Sequence, residues 1–133
     1  MKIDDMDKMT LQRLLLTVAG GIGGTWKPSL STVGDVVISS EERIEYTDGR
    51  AMIISHFMMA TSTRSDGKPI LSMVRELRLS ESKHPFPARL NAAVCADCTF
   101  ADADAVMTAV DACSEQLDAK VAELIQALEV AHV

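Results

Sequence analysis

The sequence predicts an α+β fold, an N-terminal hairpin and antiparallel sheet followed by C-terminal helical structure, on three observations. First, Asp48-Gly49 and Asp66-Gly67 separate apolar runs in the middle of the chain, and Asp-Gly permits the positive φ angles of tight hairpin turns. Second, the period changes after Asp102: Val106, Val110, Cys113, Leu117, Val121, Leu124 and Leu128 are separated by 4, 3, 4, 4, 3 and 4 residues, which places them on one stripe of an α-helix. Third, strands come first and the helical segment last, the order in which helices segregate to one face of an antiparallel sheet.

The chain has 133 residues, enough for one domain with its own core and no need of disulfides or metal. Its apolar fraction of 47% excludes disorder. Apolar stretches such as Leu14 to Leu16 and Met52 to Ile54 fall far short of the roughly 20 residues that cross a bilayer, so no membrane span is expected. Met1 to Met9 alternates Lys and Asp and does not read as a secretory signal. Cys95, Cys98 and Cys113 are odd in number, which points to a reducing compartment and hence a cytoplasm.

Taken in order, Thr10 to Val18 reads as a strand or a short helix, with the strand favoured. Gly20, Gly21, Gly23 and Gly24 break regular structure, and the β-favouring run Asp35 to Ser39 follows Pro28 and Gly34. Residues 1–49 are therefore expected to hold an N-terminal hairpin with a glycine-rich connection. Ala51 to Thr63 and Ile70 to Ser80 read as antiparallel strands, Lys83 to Pro87 as a loop fixed by two prolines, and Arg89 to Phe100 as a further strand. These make a central sheet over residues 50–100. The helical region, 102–131, starts at Asp102 or Asp104, either of which can cap it. A continuous helix from Asp104 to Val130 would span about 40 Å. It must break near Ser114 to Asp118 or lie across a partner chain. No internal repeat or interdomain linker is visible.

Candidate chemistry is sparse. Cys95-Ala-Asp-Cys98 has the spacing of a metal knuckle, but it lacks a second ligand pair, and an odd offset puts the two cysteines on opposite faces of a strand. The run Ala19 to Thr25 is glycine-rich but continues into Trp26-Lys27-Pro28 instead of the Lys-Ser/Thr ending of a phosphate loop. No Ser sits in a G-x-S-x-G elbow. His84 reads as an exposed loop histidine, and Glu41-Glu42 as solvated carboxylates. The expectation is a non-enzyme with no catalytic residues, metal, cofactor or small-molecule substrate.

Charge is more informative. The chain carries −6 in all, yet residues 101–133 hold one Lys against seven acids, while residues 50–89 hold seven basic residues against three acidic ones, a balance of +4. The basic residues form either a positive sheet face that meets phosphates or an ordinary solvated face. Composition alone favours the solvated face; the acidic helix, which gives the domain two electrically different sides, shifts the balance towards the former.

From Arg50 onward the order of elements resembles the coat proteins of single-stranded RNA bacteriophages, the levivirus type. Ala51 to Thr63, the turn Arg64-Ser-Asp-Gly-Lys68 and Ile70 to Ser80 look like the central hairpin of that family. Lys83 to Pro87 looks like the loop before its final strand. Arg89 to Val94, then Thr99-Phe-Ala-Asp102 and the amphipathic helix, look like that strand and its junction with the first helix. The likeness covers about two thirds of the chain and is one of order and spacing; Ala19 to Ser40 departs from it.

The resemblance implies a homodimer whose sheets pair edge to edge, with the helices of each chain packed over the other. The stripe from Val106 to Leu128 would then be the dimer interface. Dimers would close into an icosahedral shell, assembled in the bacterial host cytoplasm, with genomic RNA on the inner sheet face. Arg89 and Asn91 would point towards RNA, together with Ser55, Thr61 and Ser72; Arg64, Lys68, Arg75 and Arg78 join them from charge alone. The alternative is a non-capsid oligomerisation or adaptor module that binds no nucleic acid. A third is an enzyme whose site is built from scattered residues.

Overall fold

The structure, a computed structural model, describes residues 7–29, 35–62, 66–80 and 88–131. The predicted loop at Lys83 to Pro87, His84 within it, and Arg64 lie outside the described residues. The elements run α1 (Lys8–Ile22), β1 (Lys27–Ser29), β2 (Val36–Glu45), β3 (Ala51–Ser62), β4 (Pro69–Ser80), β5 (Ala88–Asp97) and α2 (Ala103–Ala131). The five strands form one antiparallel sheet in sequence order. Both helices pack on the same face of it, so the α+β reading holds.

The central hairpins form where the Asp-Gly dipeptides lie. Gly49 has φ 89° and Gly67 φ 71°. Asp48 Oδ1 accepts a hydrogen bond from the Arg50 amide at 3.1 Å, which closes the β2–β3 turn locally.

Residues 10–18 are not a strand. They belong to α1, whose buried residues Leu11, Leu15, Val18 and Ala19 share one helical stripe. Asp7 caps the helix, accepting from the Met9 amide at 3.1 Å and the Thr10 hydroxyl at 2.7 Å. Nor does the glycine run end it at Gly20. The helix continues to Ile22 and stops at Gly23, whose φ of 116° departs from the helix while its amide still donates to the Ala19 carbonyl at 3.2 Å. The expected pairing of residues 10–18 with the run from Asp35 through the glycine-rich connection therefore does not form; β2 pairs instead with β1, Lys27–Ser29.

Gly20 and Gly21 therefore lie inside a helix, both exposed, with open space where a Cβ would sit. Gly20→Ala is expected to stabilise the fold by about 0.5–1 kcal/mol, because alanine loses less backbone entropy in a helix; chemical denaturation with an unchanged m-value checks this.

The junction between β5 and α2 is tight. Phe100 takes a left-handed φ of 56° and is buried, a conformation that costs about 1–3 kcal/mol and is offset by burial of the ring. Asp102 then caps α2, its carboxylate accepting from the Ala105 amide at 2.8 Å.

The 29 residues of α2 form one helix with no break at Ser114 to Asp118, about 43 Å long at roughly 1.5 Å per residue. It needs no partner to lie on. Strands β3 and β4 have 12 residues each, about 40 Å at about 3.4 Å per residue, so the sheet is long enough to carry it. Val106, Val110, Cys113 and Leu117 are buried with Leu71, Met73 and the α1 stripe in one cluster. Leu128 is buried in a second with Met52, Ile54, Leu77 and Leu79, and Val121 and Leu124 pack at the margins of both. Five of the seven residues expected at the dimer interface, Val106, Val110, Cys113, Leu117 and Leu128, are thus buried in the chain's own core, while Val121 and Leu124 are half-buried.

Candidate nucleic-acid interface and the polar row beneath the helices

Side chains alternate across a strand, so the register sorts every strand residue onto a face. The helix-covered face carries the even-numbered residues of β2, β3 and β5 and the odd-numbered residues of β4. The opposite face carries no secondary-structure element among the described residues. On this open face, Arg43 pairs with Ile53, Ile53 with Arg78, and Arg78 with Arg89, so three arginines share one row across four strands. The next row is Glu41, Ser55, Glu76 and Asn91.

Arg43 is 3.0 Å from Glu45. Among the described residues, Arg78 and Arg89 lie against no carboxylate within ion-pair distance, and the Nε of Arg78 is buried without a hydrogen-bond partner. Like charges directly opposite on antiparallel strands repel. An anion between them would convert that repulsion into charge-assisted hydrogen bonds.

Of the residues expected to meet RNA, Ser55, Thr61, Ser72, Arg78, Arg89 and Asn91 are all on the open face, by the alternation that also puts Met58, Met73 and Ala92 in the core. The Thr61 hydroxyl donates to Asp35 at 2.9 Å. Lys68 lies in the β3–β4 turn and pairs with Asp97 at 2.9 Å. Arg75 is the exception. It lies on the helix-covered face, half-buried, because three residues separate it from Arg78 and an odd offset reverses the side. Arg43 was missed because it lies outside the basic stretch of residues 50–89.

Arg75 belongs to a second arrangement. Ser40, His56, Arg75 and Ala92 form one row on the helix-covered face. Its three polar members separate the two apolar clusters. His56 Nε2 is 2.8 Å from Glu42 Oε1, and the ring meets Trp26 edge-on at 6.2 Å between centroids. Arg75 donates to the Val74 carbonyl at 3.2 Å. Trp26, Ser40, Glu42, His56 and Arg75 line an open cavity of about 350 Å³ together with Gly23 and Gly24.

Burial, then the positive charge of Arg75, push the pKa of His56 below its ordinary value, while Glu42 and Asp118 pull it back only in part. The unfolded chain therefore binds a proton here before the folded chain does. Stability is expected to fall as pH drops below about 6.5, the unfolded value, and His56→Gln is expected to flatten that dependence. Melting temperatures of both proteins between pH 7.5 and 5.5 check this.

Cys95 is exposed and Cys98 buried, on opposite sides as their offset requires. Among the described residues, no group of three or more His, Cys, Asp or Glu is placed to hold a metal ion, and no helix is long and apolar enough to cross a membrane. No family model, curated protein or solved structure matches the chain.

Proposed function

We propose that this chain is the coat protein of a single-stranded RNA bacteriophage: a non-enzymatic homodimer that assembles into an icosahedral shell in the bacterial host cytoplasm and holds genomic RNA on its open sheet face. The observation that carries the reading is the row of Arg43, Arg78 and Arg89 on a sheet face that no helix covers among the described residues, with Arg78 and Arg89 directly opposed. Positive charge gathered in a row, flanked by the hydroxyl and amide of Ser55 and Asn91, suits contact with a phosphate backbone more than readout of bases. The order of strands and helix, which resembles that family from Arg50 onward, is the second support.

A different reading, a protein-binding module without nucleic acid, draws on Glu41 and Glu76 in the adjacent row and on half-buried Phe57 and Val74 beyond it, which suit a protein surface. One experiment separates the two. The protein is expressed in bacteria, fractionated by size, imaged by electron microscopy and measured at 260 and 280 nm. Shells with a nucleic-acid spectrum are expected. Discrete small oligomers free of nucleic acid would replace the coat-protein reading with the second.

A further inference from the structure

We propose that the open cavity beside the polar row binds guanosine, its base lying on Trp26 between the guanidinium of Arg75 and the carboxylate of Glu42. The cavity lies on the helix-covered side of the sheet, away from the row of Arg43, Arg78 and Arg89, so the site stands whether or not the open face holds RNA. Its volume of about 350 Å³ is at the lower end of the roughly 300–1,000 Å³ usual for small-ligand pockets, and suits one nucleoside.

The cavity forms where α1 ends. The helix stops at Gly23, and Gly24, with a left-handed φ of 84°, brings the backbone close to the sheet: a Cβ there would stand 3.4 Å from the Ser40 hydroxyl and 3.8 Å from the Trp26 ring nitrogen. Trp26 follows and is fixed twice, its Nε1 donating to the Gly23 carbonyl at 3.0 Å and its ring meeting His56 edge-on. An indole held in place before a ligand arrives loses little freedom on binding. Where apolar side chains would have sealed the sheet, Ser40, His56 and Arg75 leave it polar.

Two groups of this cavity carry hydrogen-bonding capacity that the folded chain leaves unused. Arg75 has five N–H donors; among the described residues it makes one hydrogen bond, to the neighbouring Val74 carbonyl, and no ion pair. Glu42 meets His56 Nε2 through Oε1 at 2.8 Å, which fixes the carboxylate and leaves its second oxygen to accept from a ligand. The two residues stand on β2 and β4, two strands apart and so roughly 10 Å apart at the backbone. A fork of donors and a carboxylate so spaced ask for a flat ligand with an acceptor edge and a separate donor edge.

Guanine has both. Its O6 and N7 accept bidentately from arginine, and its N1–H and exocyclic amine donate to a carboxylate, while the ring face stacks on an aromatic side chain. Adenine carries a donor beside N7, which would face the donors of Arg75; cytosine carries its donor and its acceptors on one edge. The ammonium and carboxylate of an α-amino acid share one carbon and do not span the gap. Free phosphate is disfavoured, since Glu41 and Glu42 line the cavity and Asp118 of α2 acts on Arg75, three carboxylates to one guanidinium.

Trp26 is the only tryptophan of the chain, so its fluorescence reports the stacking directly. Guanosine is expected to quench it saturably, and equilibrium dialysis to give one site per chain that inorganic phosphate does not compete for. Inosine, which lacks the exocyclic amine, and 7-deazaguanosine, which has carbon in place of N7, should each bind about tenfold more weakly, as should adenosine and cytidine. These ligands test each contact in the unaltered protein. Arg75→Gln and Glu42→Gln should each weaken guanosine binding about tenfold, whereas Arg78→Gln combined with Arg89→Gln should leave it unchanged. No saturable binding, adenosine bound as well as guanosine, displacement by phosphate, or loss of binding in the Arg78 and Arg89 double variant would each overturn the site.

Discussion

Replacing Arg78 and Arg89 together with Gln is expected to lower the slope of log binding constant against log salt for single-stranded RNA by about 1.4, at about 0.7 per phosphate contact removed. Raising salt from about 50 to about 200 mM should then weaken the parent about sevenfold more than the variant, by the same relation. Glutamine keeps most of each side chain's length and removes its charge, so the fold should be little affected. Loss of the directly opposed pair of positive charges between β4 and β5 should, if anything, raise the stability of the RNA-free protein slightly. Arg75→Gln is the internal control. It faces the helices, so its loss should leave the slope unchanged and show instead in the melting temperature. Filter binding or fluorescence anisotropy over a salt series measures both.

The largest effect on the fold itself is expected at Leu117, which is fully buried midway along α2. Leu117→Ala removes a side chain from the cluster shared by α1, α2 and the sheet, and should cost about 2–5 kcal/mol. Against a total stability of about 5–15 kcal/mol, that leaves a marginal protein. Had the stripe been the surface between two chains, the same substitution would shift the concentration dependence of unfolding more than the stability of each chain. Here the loss should be equal at low and high protein concentration. Denaturant titration at two concentrations decides it.

Much of this architecture is legible in the chain, and the failures have specific causes. The strands from Ala51 to Ser80 are marked by turn residues whose backbone angles few other dipeptides reach, and α2 by a stripe that persists for six intervals. The segment Thr10 to Val18 is too short for its period to decide, and three consecutive leucines hide the Leu11, Leu15, Val18 spacing. The reach of α2 is not legible because chain length bounds only the width of a compact sphere, whereas twelve-residue strands make a long sheet. Charge alone groups Arg75 with Arg78, although the parity that separates Cys95 from Cys98 separates these two as well. The row of Arg43, Arg78 and Arg89 and that of Ser40, His56 and Arg75 join residues from three strands. Only register reveals them, and register needs the pairing partners as well as the strands.

The interruption of the apolar core by Ser40, His56 and Arg75 has a consequence for how the native state breathes. Beyond that row, the last three turns of α2 cover Met52, Ile54, Leu77 and Leu79 chiefly through Leu128, with Val121, Leu124 and Ile125 at the margin. A small cluster fenced from the main one by groups that tolerate water can release its lid while the rest stays closed. Amide deuteration should accordingly reach residues 121–128 through a local opening, well before it reaches the amides around Val110 and Leu117, which wait for the whole chain to unfold.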